Sequence, residues 1–425
     1  MLKKKFFTEL KKRLLISQIT NDKKVEDILN NKFISVYCGF DPTADSLHVG
    51  HILPLLFLKR LQLKGHKPII LIGGSTSLIG DPSFKLKERK FFSLNSTSTW
   101  IKKIINQISL FLDFTKKYNQ PIILNNSSWF KELNIISFLR NVGKHFSISK
   151  MINKESVKNR INRNKQGISF TEFSYSLLQA YDFSHLYKKY QVILQIGGSD
   201  QWGNITSGIS LTNYLYKSEV FGLTLPLLTQ SSGQKFGKSE LKTIWLDPEK
   251  TTPYEFYQFW VNTTDKDLYN YLKYFTFLSL KKIKKMKKND QLNKTFIKSK
   301  EILAKYLTCL VHGNKNYFFS KKVSNIFFKK KLDGLILKDF KKLIKYKAPY
   351  LVLEKREYSL QEVLYLTKLA TSYRHAKDLI FSNSITINYK KQNNINYVFL
   401  NIDKLFKKYT IICRGKKKYF LLKWK

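Results

Sequence analysis

From about residue 33 to residue 228, short apolar runs alternate with longer stretches of helical spacing. That alternation is the signature of a doubly wound, Rossmann-like α/β domain. Buried strands are predicted at 33–37, 69–72, 121–124 and 191–196, where β-branched, aromatic and aliphatic residues cluster. Residues 52–64 read as a helix stopped by Gly65, so 33–72 form one β-α-β unit. A polar helical stretch at about 129–168 reads as an insertion. Residues 252–313 read as helices, and 314–349 as Lys-rich helix plus linker. From about 350 the pattern changes to a helix at 373–380 and short strands at 385–388, 409–413 and 419–424. The expected domains are therefore 1–247 (α/β), 248–330 (α-helical), a linker at 331–349, and a small α+β domain at 350–425.

Charge changes this picture modestly. Lys plus Arg number 76 against 30 Asp plus Glu, a formal +46. Such a surplus favours a polyanionic partner, because each neutralised phosphate releases counterions. Lys, Asn, Ile, Phe and Tyr are abundant together, however, so many lysines read as solvated composition rather than as a binding face. Cys38, Cys309 and Cys413 are far apart and match no metal-ligand spacing, which fits a reducing compartment. No apolar run reaches about 18 residues, so no membrane span is expected. The expected location is cytoplasmic.

Five blocks carry candidate chemistry. The first, Tyr37-Cys38-Gly39-Phe40-Asp41-Pro42-Thr43 through His48-Val49-Gly50-His51, ends a strand and opens a helix. Backbone N–H groups at such a position meet phosphate, and the two histidines share a face. The second is a stripe of hydrogen-bonding side chains, Tyr175, Gln179 and Asp182, at i, i+4 and i+7. The third, Gln195-Ile196-Gly197-Gly198-Ser199-Asp200-Gln201, follows a strand with paired glycines that admit a close ligand. The fourth is Gly73-Gly74 through Asp81, and the fifth is Lys235-Phe236-Gly237-Lys238-Ser239, two lysines flanking a glycine. Each alone has a bland reading as helix decoration, a solvated stripe or a chance match in a Lys-rich chain. Their order along the chain raises their joint weight.

The first block resembles the His-x-Gly-His signature of class I aminoacyl-tRNA synthetases, and the fifth resembles their Lys-Met-Ser-Lys-Ser loop. Together the five blocks look like the bacterial tyrosyl-tRNA synthetase family. The resemblance implies activation of L-tyrosine by ATP, with Mg²⁺ accompanying the nucleotide and no prosthetic group or protein-held metal, then transfer to tRNA(Tyr). It implies that Thr43, His48, His51, Lys235 and Lys238 serve catalysis. Tyr37, Asp81, Tyr175, Gln179, Asp182, Gln195 and Gln201 would bind tyrosine. Cys38, Gly39, Asp41 and Asp200 would join His48, His51, Lys235 and Lys238 around ATP. Asp182 and Tyr37 would read the substrate phenol, leaving both unpaired when phenylalanine binds, so no editing domain is required. Phe84 stands where the family often has glycine.

The segment 350–425 resembles the S4 RNA-binding domain of these enzymes, with Arg374, Lys377, Arg414, Lys416 and Lys417 as RNA contacts; His375 and Asp378 depart from the family's helix pattern. A homodimer is implied, with the 129–168 insertion at its interface. Two other readings stand beside this one. Tryptophanyl-tRNA synthetases usually carry glutamine where Asp41 stands, and indole suits the Tyr37–Asp182 pair poorly. A non-catalytic RNA-binding paralogue should have lost the histidines, Asp182 or the loop lysines, all of which are intact.

Overall fold

The computed structural model describes residues 6–81, 94–154, 157–158, 161, 168–229, 236–239, 242–329, 336–346, 349–415 and 418–425. Contacts divide the chain into two compact units, 1–251 with 259–311, and 252–258 with 312–425.

The first unit is built on a six-stranded sheet. Its strands are β1 (Gln18–Ile19), β2 (Ser35–Phe40), β3 (Lys67–Ile72), β4 (Ile122–Asn125), β5 (Val192–Gly198) and β6 (Phe221–Leu225), in the order β1-β6-β5-β2-β3-β4. All neighbours are parallel except the edge pair β1–β6. Strands β2 to β5 are fed by apolar runs, as the pattern predicts; β1 and β6 were not among the predicted strands. β2 begins and ends later than residues 33–37 because Ile34 accepts from Lys67 before the ladder starts and Phe33 is exposed. Chain order reverses at β2, whose neighbours are β3 and β5. Ligands bind beyond the strand C-termini at such a switch point.

Helix Ile52–Leu63 crosses from β2 to β3 and is apolar nearly all round, since it is covered on every side. Its Arg60 is buried, as is Arg13, and both guanidinium groups donate to carbonyls that end helix Asp265–Phe275: Arg13 to Lys273 and Leu278, Arg60 to Thr276 and Tyr274. Terminal carbonyls without intrahelical partners welcome cations. This fastens helix Asp265–Phe275 onto the α/β core.

The first unit also holds a short antiparallel pair, β7 (Lys238–Ser239) and β8 (Lys242–Thr243). The second unit centres on a five-stranded sheet, β11-β10-β12-β13-β9, with β9 Tyr350–Leu353, β10 Ile385–Ile387, β11 Lys390–Lys391, β12 Tyr409–Arg414 and β13 Lys418–Trp424. Alternation along β12 feeds two cores. Ile412 packs with Val363, Leu364, Ala376 and Ile380 from helices Leu360–Leu366 and Tyr373–Phe381. Tyr409, Ile411 and Cys413 pack with Phe319, Val323, Phe340 and Leu343.

The expected domain boundaries differ here. The segment read as a linker, 331–349, contains helix Leu337–Lys345, and its Phe340 and Leu343 are buried in the second core. Helix Asn314–Lys329, placed by sequence in a separate helical domain, supplies Phe319 and Val323 to that core. An apolar stripe at i, i+3, i+4 (Phe340, Leu343, Ile344) among lysines suffices to seat a helix, although composition reads as linker.

Candidate active site

The main cavity, about 450 Å³, opens at the C-terminal ends of β2 and β5. Its wall is set by strand register. Tyr37 on β2 lies beside Gln195 on β5, and both side chains enter the cavity. Helix Phe170–Tyr190, N-capped by Ser169 accepting from the Glu172 N–H, delivers Tyr175, Gln179 and Asp182 to the same space. Asp41, Thr43, His48, His51, Asp81, Asp200 and Gln201 complete the ring, with Cys38 and Gly39 on its rim. Fourteen of the candidate site residues of the α/β half thus meet in one place. Lys235, Lys416 and Lys417 lie outside the described residues, as do Phe84 and its neighbours; Lys238 is placed in strand β7 (Lys238–Ser239). Arg374, Lys377 and Arg414 belong to the second unit.

The two histidines form a self-capped turn. The His51 Nδ1 accepts from the His48 backbone N–H at 3.1 Å, and the His48 Nδ1 accepts from the Gly50 N–H at 3.1 Å. Each ring therefore carries its proton on Nε2 when neutral. Burial, with His48 nearby, holds His51 well below the usual imidazole range. The His51 ring, 4.0 Å from that of His48, thus presents as a neutral N–H donor rather than as a cation.

Asp182 sits at the opposite end. Its Oδ1 accepts from Trp129 Nε1 at 2.9 Å and its Oδ2 from Asn126 Nδ2 at 3.1 Å. Burial pushes this carboxyl up to about 8, although both hydrogen bonds pull it down. Neither donor was singled out in the sequence. Trp129 was assigned to the start of the insertion, yet it is buried in the α/β core directly after β4 and stacks on His185. Tyr37 does not bond Asp182. Its hydroxyl, together with the Oε1 atoms of Gln179 and Gln195, is buried with no hydrogen-bond partner among the described residues. Three orphaned polar atoms converging on one cavity are costly unless a ligand satisfies them.

Between these ends runs a polar chain. Tyr175 donates to Asp41 at 2.7 Å, and Thr76 donates to the other Asp41 oxygen at 2.9 Å. Gln201 donates to Asp81 at 2.7 Å and to Asp200 at 3.2 Å. Gly73 makes room for this: a Cβ there would stand 1.8 Å from Asp41 Oδ1. Asp41, expected at ATP, is thus bonded to Tyr175, expected at tyrosine.

The lysine loop is tied to the histidine turn by backbone. Val49 N–H donates to Ile244, Leu246 N–H to Leu47, and Ile244 N–H to Gly237, at 3.0, 2.8 and 2.9 Å. Gly237 has φ +78°, and a Cβ on it would meet Val49 at 2.6 Å. Phe236 lines the cavity and packs among Phe259, Trp260, Tyr271 and Phe275, with ring centroids 5.4–6.0 Å away.

The family described as tRNA synthetases class I (W and Y) matches residues 29–329, and the tyrosine–tRNA ligase SYY-like C-terminal domain matches 339–422. The tyrosine–tRNA ligase of Buchnera aphidicola subsp. Schizaphis graminum is 54% identical over 98% of both chains, and that of Escherichia coli O139:H28 is 49% identical over 98% of both. The chain belongs to the tyrosine–tRNA ligase family. A C-terminally truncated mitochondrial tyrosyl-tRNA synthetase from Aspergillus nidulans has a similar structure, with a TM-score of 0.69 and 30% identity over 76% of this chain and 94% of that one. The Rossmann-like fold expected from the pattern is that of the family.

Trp129 and Asn126 were missed because their partner lies more than fifty residues away, across a sheet edge, and no spacing announces it. Trp129→Phe removes one of the two donors that lower the Asp182 carboxyl. Its titration, followed by 13C NMR of the labelled carboxyl, is expected to move above about 8. An unchanged midpoint would show that Trp129 does not hold it.

Proposed function

We propose that this protein activates L-tyrosine with ATP, forming tyrosyl-adenylate and pyrophosphate, and then transfers tyrosine to the 3′-terminal ribose of tRNA(Tyr). The observation that carries this reading is the set of orphaned polar atoms around Asp182. Tyr37 and Asp182 meet the substrate phenol. Tyr175, Gln179 and Asp81 hold its ammonium group, and Gln195 and Gln201 line its path.

The tyrosine carboxylate is already ionised at neutral pH, so attack on the α-phosphate needs no general base. Catalysis then depends on positioning and on stabilising the charge of the departing pyrophosphate. The Nε2–H donors of His48 and of the uncharged His51 serve that end, with Thr43 beside them and Lys235 and Lys238 brought over the phosphates by their loop. Cys38 and Gly39 lie against the nucleotide. Burial pushes the Cys38 thiol up to about 12, so it packs there as an uncharged group. Asp200 takes the ribose hydroxyls. Mg²⁺ arrives on the ATP phosphates, the usual habit of an ion that keeps its waters and substrate oxygens. In the second unit Arg374, Lys377, Arg414, Lys416 and Lys417 contact RNA backbone, in keeping with the basic balance of that end.

A second copy of this chain is the partner for the insertion. Ile135 and Ile136 on helix Ile135–Asn141 are each 67% exposed, and Ile148 on Ile148–Ile152 is 65% exposed. Aliphatic residues displayed together at that level mark an interaction surface. With Ile136→Asp, sedimentation is expected to shift from two chains to one; a monomeric wild type would overturn this assignment.

Tyrosine-dependent pyrophosphate exchange tests the reaction itself. Exchange is expected with tyrosine and not with tryptophan or phenylalanine, and the reverse preference for tryptophan would sink the reading. Asp182→Ala should lower kcat/KM for tyrosine by about 100-fold or more, a loss of roughly 3 kcal/mol, with KM for ATP little changed. Because the free carboxyl titrates near 8 and the phenol needs an ionised acceptor, kcat/KM for tyrosine should rise with pH through that region. Asp182→Asn should flatten the rise.

A further inference from the structure

In the second unit, two helices meet at an exposed corner. Tyr365, near the end of Leu360–Leu366, and Tyr373, the first residue of Tyr373–Phe381, stack on one another with ring centroids 5.2 Å apart and planes 27° from parallel. They are 46% and 49% exposed, so each ring keeps much of its surface in water. The connecting turn is held rigid. Ser372 caps the second helix by accepting from the His375 N–H at 3.1 Å, and the Arg414 guanidinium donates to the Leu369 carbonyl at 2.7 Å. Leu364 and Ala376 are buried beneath. The rings are thus fixed in place by packing that does not itself need them.

The surroundings are cationic. Lys368 in the turn and Arg374 and Lys377 on the second helix are exposed. Tyr373 and Lys377 are four residues apart, hence on one face. Of the acidic groups nearby, Asp378 is exposed on the second helix, and Glu362 is paired with Arg356 at 2.6 Å. An aromatic surface meant for another protein is typically poor in lysine. Aromatic faces set among cations are instead the pattern that holds single-stranded nucleic acid, with bases on the rings and phosphates on the charges.

We propose that the Tyr365–Tyr373 pair is a stacking platform for an unpaired base of bound RNA, with Lys368, Arg374 and Lys377 taking the adjoining phosphates. The proposal rests on the reading that this unit binds RNA, and assigns that site a component which charge alone does not provide. Stacking uses a π-face and not a hydroxyl, so the platform tolerates any base.

The test titrates the full-length protein with a tRNA(Tyr) transcript between 50 and 200 mM salt, with tyrosine-dependent pyrophosphate exchange as a check on the intact catalytic half. Tyr365→Ala with Tyr373→Ala should weaken binding by about 10-fold to 100-fold with the salt slope unchanged, because no cation is lost. The corresponding double leucine variant, which keeps apolar cover without a π-face, should be weakened equally. The double phenylalanine variant should bind like the wild type. By contrast, Arg374→Ala with Lys377→Ala should reduce the salt slope by about two.

If the alanine and leucine variants bind RNA as the wild type does, the platform is wrong. The same holds if they alter only self-association, which would mark a protein-docking face. If the basic variant also leaves affinity and slope untouched, the RNA-binding reading of the whole unit falls with it.

Discussion

The site depends first on the register of β2 against β5. Tyr37 and Gln195 are neighbours across that pair, and both point into the cavity. Side chains on a strand alternate between faces, so a slip of one residue would turn Tyr37 away and bring Cys38 beside Gln195. The register is pinned from both sides, because β2 also pairs with β3 from Ser35–Lys67 to Phe40–Ile72. Everything that follows β2 inherits this setting, including Asp41 and the histidine turn.

A second consequence of burial is that several titratable groups of the site are pushed toward their uncharged forms. His51 is held neutral, Asp182 rests near its midpoint at about 8, and the Tyr37 and Tyr175 phenols are pushed well up by burial, with Asp182 and Asp41 as lesser causes. Uncharged donors and acceptors thus stand in the pocket beside the acidic residues Asp41, Asp81 and Asp200. Uncharged groups can be kept out of water at modest cost, whereas unpaired ions cannot. In the proposed reaction the substrates and the lysine loop bring further charge to this site.

Much of this was legible in the chain. The apolar runs announced β2 to β5 because a strand buried on both faces must be continuously apolar, and the stripe Tyr175, Gln179, Asp182 announced the pocket because helical spacing is local. What was illegible depended on distance or on context. β1 and β9 are short edge pieces that become strands only by pairing. Helix Leu337–Lys345 was hidden by its lysines, which report the solvent side and mask Phe340 and Leu343. Asn126 and Trp129 matter through a contact with Asp182 that only the folded sheet creates. The site's ring of side chains could be read from sequence; the donors that tune its carboxyl could not.

The aromatic cage around Phe236 extends the same logic to the lysine loop. Phe275 and Tyr271 in that cage lie on helix Asp265–Phe275, whose terminal carbonyls are gripped by Arg60. Arg60 stands on the helix that begins at His51, and Leu47 and Val49 are laced to the segment beyond the loop by Leu246 and Ile244. The path therefore closes: histidine turn, helix, arginine, second helix, aromatic cage, Phe236, Gly237, and back to Val49. In a closed ring of packed and hydrogen-bonded parts, one segment cannot shift far without straining the others. The lysine loop is consequently not an independent tether. Its base is held in the same frame as the histidine turn, which ties together the two elements proposed to face phosphate.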